Sequence, residues 1–367
     1  MTISWLLMAS HVPAGGGLGG MVRYTVEVAR GLAAHPNVQL SVLADPSAAT
    51  FWADIVSSDR VHPLPKIPTP IQSALERQGR GSGAFNEPFD VIHGTKHILP
   101  KHHNARTTVL TIHDFLPLDR PGDFGLLKRT LLPGPYLASA SEAGALVCVS
   151  AASKDRLLSY QPGVADRAHV VPLANESAGL ADASSEPVTE LVGQDFALVV
   201  GDPSPRKNLE FLVDLWSEVT SAYGSAKLVS VGPPAWQGGE GSADESKYPG
   251  IVQLGRIDDA ALRWCYENAR VVLCPSLLEG FGLPSVEGLR FGTPVITSAD
   301  PAMCEATKAD ATHISTLDRA YWVAAIVAAR LAFLVVGATG AGKTTVLNSL
   351  LGLVDPRDRI LCVEEAP

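Results

Sequence analysis

Short apolar runs alternate along this chain with longer stretches in which apolar side chains recur every three or four positions. Residues 3–8 form such a run. They are followed by 21–34, where Val22, Val26, Ala29 and Leu32 share one helical face, and then by a second run at 38–43. This texture predicts parallel sheets covered by helices. Further strands are predicted at 91–93, 108–112, 146–149 and 169–171, which fill one doubly wound unit. A second series of strands starts at 196–200 and continues through 228–231, 251–254, 271–274 and 295–297. Its helices are predicted near 209–223, 260–269 and 284–291, with Asn208 and Asp258 as N-caps of the first two and Pro284 in the first turn of the third. Between the two series, residues 175–190 lack apolar periodicity and read as a linker, while 63–86 and 233–249 read as surface loops.

Length and charge narrow the picture. The chain's 367 residues, 46% hydrophobic and 18% charged, suit about two domains and exclude a disordered or fibrous chain. With 29 Lys and Arg against 38 Asp and Glu, the formal charge is −9, so a broad basic footprint for nucleic acid is missing and any phosphate must be held locally. Five cysteines, Cys148, Cys265, Cys274, Cys304 and Cys362, are odd in number, widely spaced and never CxxC. That pattern argues against a disulfide frame or a thiolate metal site and for a reducing, cytoplasmic compartment. The first apolar run has no basic segment before it and reads as a buried strand, not a signal peptide. Residues 321–336 are apolar except for Arg330. An arginine at the centre of a membrane span costs about 2.5–3.5 kcal/mol, so a helix ending at Arg330 followed by a strand at 331–336 is the expected reading.

Two glycine-rich stretches carry candidate chemistry. The loop from Gly15 to Gly20 contains GxGxxG, with Asp45 near the end of the next strand. A dinucleotide fingerprint abuts its strand, whereas here residues 10–14 intervene. The loop can equally offer backbone N–H groups to a phosphate or sugar, or be structural only. The second stretch, 275–287, puts Glu279 on a loop after a strand and Glu287 eight positions later in the following helix. Both carboxylates can accept hydroxyls while the N–H groups at the helix start, near 283–285, face an anion. A ligand with hydroxyls at both ends and a diphosphate between them, such as a nucleotide sugar, satisfies all three features.

The form EGFGLPSVE over 279–287, followed by Gly292-Thr293-Pro294-Val295-Ile296, closely resembles the retaining glycosyltransferases of family 4. Residues 201–209, 149–154 and 171–175 resemble further motifs of that family, and the resemblance covers about residues 1–330. It implies the α/β GT-B fold, two Rossmann-like domains facing across a cleft, here 1–175 on the acceptor side and 191–330 on the donor side, with 176–190 between them. It also implies transfer of a hexosyl group, mannosyl or glucosyl being the common outcome, to a glycan, lipid or small-molecule hydroxyl, and it is compatible with peripheral membrane association. By this resemblance Glu287 binds the nucleotide ribose and Glu279 the transferred sugar. Arg206 and Lys207 hold the diphosphate, with Leu283 at the donor-facing helix start. Gly16 and Gly17 face the donor or acceptor from the opposite domain, and His113 lies near the transferred sugar. The residues alone leave Arg206 and Lys207 open as a solvated pair and His113 as a locally satisfied histidine. The two glutamates are not read as a hydrolase pair, because the family implies front-face transfer in which the leaving phosphate helps deprotonate the acceptor. No DxD motif is present to hold a metal, and His102-His103 lacks a third ligand, so neither metal nor cofactor is expected for sugar transfer.

The carboxyl-terminal part departs from that family. Residues 331–336 run into Gly337-Ala338-Thr339-Gly340-Ala341-Gly342-Lys343-Thr344-Thr345, a full Walker A pattern. With 355–365 it resembles the start of the type II/IV secretion-system ATPase core, as a partial P-loop βαβ segment over 331–367. Gly337, Gly342, Lys343, Thr344 and Thr345 would take ATP and magnesium there. A single βαβ unit without a later acidic strand does not complete a hydrolytic site. A junction near Arg330, a truncated ATPase and a terminal unit packed on the transferase are the competing explanations. The alternative to a transferase is thus an ATP-binding fragment or a fusion product with neither activity complete.

Overall fold

A computed structural model describes residues 2–16, 19–67, 69–174, 178–224, 226–233, 249–315 and 317–330. The Walker A residues Gly337, Gly342, Lys343, Thr344 and Thr345, the strand expected at 331–336 and most of the 233–249 loop lie outside them.

The described residues form two all-parallel sheets. The first joins β1 (Ile3–Ala9), β2 (Val38–Ala44), β3 (Val61–Pro63), β4 (Val91–Gly94), β5 (Thr107–Ile112), β6 (Ala145–Cys148) and β7 (Ala168–Val170) in the order β3-β2-β1-β4-β5-β6-β7. The second joins β8 (Phe196–Val200), β9 (Lys227–Val231), β10 (Ile251–Gly255), β11 (Val271–Cys274), β12 (Val295–Ser298) and β13 (Thr312–Ile314) in the order β10-β9-β8-β11-β12-β13.

Unbroken apolar runs become central strands because both faces are covered. In β1, Leu7 and Ala9 pack with Val42 and Trp52 on one side, while Leu6 and Met8 pack with Leu43 and Phe85 on the other. The second sheet repeats this arrangement, with Ala197, Leu228 and Leu273 under Trp216 and Trp322, and Phe196, Leu198 and Val229 under Tyr266. The strand order reverses between β1 and β4 and between β8 and β11. Open α/β sheets bind ligands at such switch points, outside the carboxyl ends of the strands. The loops after β8 and β11 carry Arg206, Lys207 and Glu279.

Several sequence expectations need correction. Residues 63–86 are not only loop: they include the helix Thr69–Arg77 and a short 3-10 turn, Gly83–Asn86, whose Phe85 is buried. Asn208 stands at the N-cap position but adopts a left-handed φ of 53°, and its side chain makes no cap bond. Its amide donates instead to the Pro275 carbonyl, at 3.4 Å. Asp258 does cap its helix, accepting from the Ala261 N–H at 2.9 Å, and Pro284 sits in the first turn of Leu283–Arg290. Within the stretch lacking periodicity, the short helix Ala178–Asp182 buries Leu180 in the second lobe, and Arg263 donates to the carbonyls of Ala181 and Ala183. The helix Arg319–Arg330 packs Trp322 and Ile326 onto the second sheet. Among the described residues no helix is long and apolar enough to cross a membrane.

Candidate active site

Glu279 lies just beyond β11, 8% exposed at its side chain, between two cations from the loop after β8. Arg206 Nη1 is 3.0 Å from its Oε2 and Lys207 Nζ is 2.6 Å from its Oε1. The loops are stitched by the Leu277 N–H to the Arg206 carbonyl at 2.7 Å, and the Glu279 N–H donates to Asp300 at 3.3 Å. Burial alone opposes ionisation of Glu279, but the charges of Lys207 and Arg206 prevail and hold its carboxyl below the usual carboxylate range. The basic pair is mostly buried, the Lys207 stem running over Gly201.

Glu287 projects from the helix Leu283–Arg290, whose start is set by Gly282 at φ +90°. Its Oε2 accepts from the buried Tyr266 hydroxyl at 2.7 Å. Its Oε1 lies 3.3 Å from Nη1 of Arg23, which belongs to the first lobe and also pairs with Asp259. Burial pushes the Glu287 carboxyl above its ordinary value, against the pull of Arg23 and of the Tyr266 bond. Both glutamates bear on the same strand end. Burial pushes the Cys274 thiol up to about 12, with Lys207 opposing and Glu279 and Glu287 adding to the rise. A pocket here is lined by Gly201, Lys207, Ser276, Glu279, Gly282 and Pro284.

The first lobe closes on this crevice. His113, at the end of β5, is buried, donates Nε2–H to the Thr95 carbonyl at 3.0 Å and meets the Tyr24 ring edge-on at 4.9 Å. Desolvation holds it below its ordinary value, so it is neutral near pH 7. A Cβ added to Gly280 would stand 2.1 Å from the His113 carbonyl oxygen. Ser150 donates to the Gly280 carbonyl at 2.7 Å and Ser153 to that of His113 at 2.8 Å. Glu305 accepts the N–H groups of Ala151 and Ala152, at 2.8 and 3.1 Å, at the start of the helix Ala151–Tyr160. Val149 packs with Phe281 and Val286 across the same seam. Gly16 ends the turn Ala14–Gly16, Gly17 lies outside the described residues, and a Cβ on Gly20 would meet Leu283 Cδ1 at 3.4 Å. The glycine loop therefore faces the helix start that carries Leu283.

Sequence reasoning missed Arg23, Tyr266, Asp259 and Glu305. Only Glu305 left a trace, through the Asp300-Pro301 cap signal that opens its helix. Among the described residues no three His, Cys, Asp or Glu side chains gather as a metal site.

Burial also lowers three first-lobe histidines, His11 and His93 to about 3 and His97 to about 4. Each stays neutral in the folded chain while its unfolded counterpart gains a proton below pH about 6.5. The unfolded state then binds more protons, so stability falls as pH drops from about 6.5 towards 4. Urea denaturation at several pH values should show this limb, with His93→Gln removing about one proton from its slope.

A family model described as Glycosyltransferase Family 4 matches residues 18–174, and one described as Glycosyl transferases group 1 matches 182–323. A third, Type II/IV secretion system protein, matches 295–366. O-antigen chain mannosyltransferase B of Escherichia coli is 27% identical over 220 residues, 57% of this chain and 56% of that protein. A putative conjugal transfer protein of Mycobacterium tuberculosis is 68% identical over 44 residues, 12% of each chain. The chain thus spans little more than half the length of the mannosyltransferase and about an eighth of the conjugal transfer protein. Sucrose-phosphate synthase from Thermosynechococcus elongatus superposes with a TM-score of 0.61 at 17% identity, covering 89% of both chains. Residues 18–174 and 182–323 thus carry two glycosyltransferase family matches in tandem, on two Rossmann-like sheets of the GT-B type.

Proposed function

We propose that this chain transfers a hexosyl group, mannosyl or glucosyl, from a nucleotide-diphosphate sugar to a hydroxyl acceptor with retention of configuration. The observation that supports the reading is the crevice outside β8 and β11, where Glu279 pairs with Arg206 and Lys207 near the start of the helix Leu283–Arg290 that carries Glu287. Glu287 accepts the ribose hydroxyls. Arg206, Lys207 and the N–H groups near Leu283 take the diphosphate, where fixed positive charge stabilises the leaving group as the glycosidic bond breaks. Glu279, ionised by its two cations, accepts hydroxyls of the transferred sugar. Neutral His113 contributes a wall to the sugar pocket, with the glycine loop around Gly16 and Gly17 facing the donor or acceptor. The leaving phosphate oxygen takes the acceptor's proton on the same face, so no metal or cofactor enters this step. The name of the Escherichia coli relative favours mannose and a glycan acceptor. A cytoplasmic location with peripheral membrane contact accords with a lipid-linked glycan.

The test is nucleotide release from GDP-mannose and UDP-glucose by the full chain, with the anomeric configuration of the product read by NMR. Glu287→Ala is expected to lower kcat/KM about 10²-fold. Release from neither donor, or an inverted product, would overturn the reading. The match of 295–366 to secretion-system proteins favours a second one, ATP and magnesium bound by Gly337, Gly342, Lys343, Thr344 and Thr345. ATP binding lost in Lys343→Ala, without loss of sugar transfer, supports both.

A further inference from the structure

Arg23 stands in the first turn of the helix Gly20–Ala34 of the first lobe, yet it pairs with two carboxylates of the second lobe. We infer that Arg23 is a positioning residue that stands in for the donor's ribose: in the closed cleft it holds Oε1 of Glu287. On donor binding it yields that oxygen and stays on Asp259, clasping the lobes over the nucleoside. The inference rests on the reading of Glu287 as the ribose ligand.

The two oxygens of Glu287 are not equivalent. Tyr266, buried in the second-lobe core, fixes Oε2 at 2.7 Å from within the same lobe. The Arg23 contact to Oε1 is longer, 3.3 Å, and comes across the cleft, so Oε1 is the oxygen that can exchange. Glu287 cannot be left bare, since its side chain is 8% exposed and an unpaired buried charge is costly. A ribose diol brings two O–H donors to the vacated oxygen. A guanidinium has separate N–H groups to divide between partners. Here Nη1 serves Glu287 and Nη2 serves Asp259, so losing the first contact leaves the second intact. Asp259, 33% exposed, lies nearer solvent and keeps Arg23 charged and in reach while Glu287 is taken. The groups that bear on Glu287 are Arg23 from the first lobe, Tyr266 and Asp259 from the helix Asp259–Asn268, Lys207 from the loop after β8, and Cys274 of β11. Of these, Arg23 alone belongs to the opposite lobe.

Stopped-flow binding of UDP and GDP to the full chain tests this, with inorganic pyrophosphate as a ribose-free control. Nucleotide association should approach a plateau set by release of Arg23. Arg23→Met should raise that plateau about tenfold and Asp259→Asn, which removes the carboxylate that draws Arg23 away from Glu287, should lower it about tenfold. Pyrophosphate should respond to neither change. Arg23→Lys, which keeps the charge but loses the divided fork, should fall on the Arg23→Met side. Equal plateaus in wild type, Arg23→Met and Arg23→Lys, or Arg23→Met and Asp259→Asn shifting the plateau in the same direction, overturn the stand-in role. Glu287→Gln separates the two levels. If it binds nucleotide as the wild type does, or if neither nucleotide binds, the ribose reading fails and takes this inference with it. If Glu287→Gln weakens nucleotide but not pyrophosphate, and Arg23→Met leaves the rate unchanged, only the inference fails.

Discussion

Gly280→Ala is expected to cut sugar transfer about 10²-fold while both lobes stay folded. The added methyl would lie 2.1 Å from the His113 carbonyl oxygen and 2.9 Å from its carbon, both main-chain atoms that no side-chain rotation can move. Ser150 holds the Gly280 carbonyl and Ser153 the His113 carbonyl at the seam, so the strain cannot disperse locally. It is relieved when the lobes part, which pulls His113 away from Glu279 by about an ångström, a misplacement of the size that costs about 10²-fold in rate. Small-angle scattering should show a wider particle at an unchanged melting temperature. A transfer rate within threefold of wild type would show that closure along this seam is not needed.

Glu279→Ala should split binding from turnover. Removing the carboxylate leaves Arg206 and Lys207 side by side without their shared counter-charge, and losing one partner of a buried pair costs about 3–5 kcal/mol when burial is complete. With these cations 18% and 15% exposed, the lower end of that range is expected in chemical denaturation. The freed cations attract a diphosphate, so UDP or GDP should bind as tightly as in wild type or tighter and restore part of the lost stability. Sugar transfer, which needs the carboxylate for the sugar hydroxyls, should fall about 10³-fold, mostly in kcat. Nucleotide binding and turnover lost in parallel would make Glu279 a structural counter-ion only.

The strands most legible in the sequence are those buried on both faces, such as β1 and β8, since continuous apolar runs leave little else to be. The edge strands β3 and β13 escaped notice because three residues, Val61–Pro63 or Thr312–Ile314, are too few to show a period. Leu180 was hidden for a related reason: one apolar residue in a polar stretch shows no face, yet it reaches the second-lobe core. At the site, Glu279 and Glu287 were legible because glycines surround them and a single strand–loop–helix carries both. Arg23 was not, since it lies 264 positions from its partner and resembles any basic residue on a helix surface. Nothing marks Tyr266 within the helix near 260–269 as the partner of a carboxylate 21 positions on. Asn208 misled because residue type signals a cap whether or not the backbone turns the side chain towards the helix.

The polar contacts that Ser150, Ser153 and Glu305 make across the seam go to main-chain atoms, the Gly280 carbonyl and the N–H groups of Ala151 and Ala152. Recognition of this kind is blind to most side chains. A donor lobe grafted from another member of the family should dock here provided it keeps an acidic residue where Glu305 stands and a glycine where Gly280 stands, which makes this boundary a natural splice point for building chimaeric transferases.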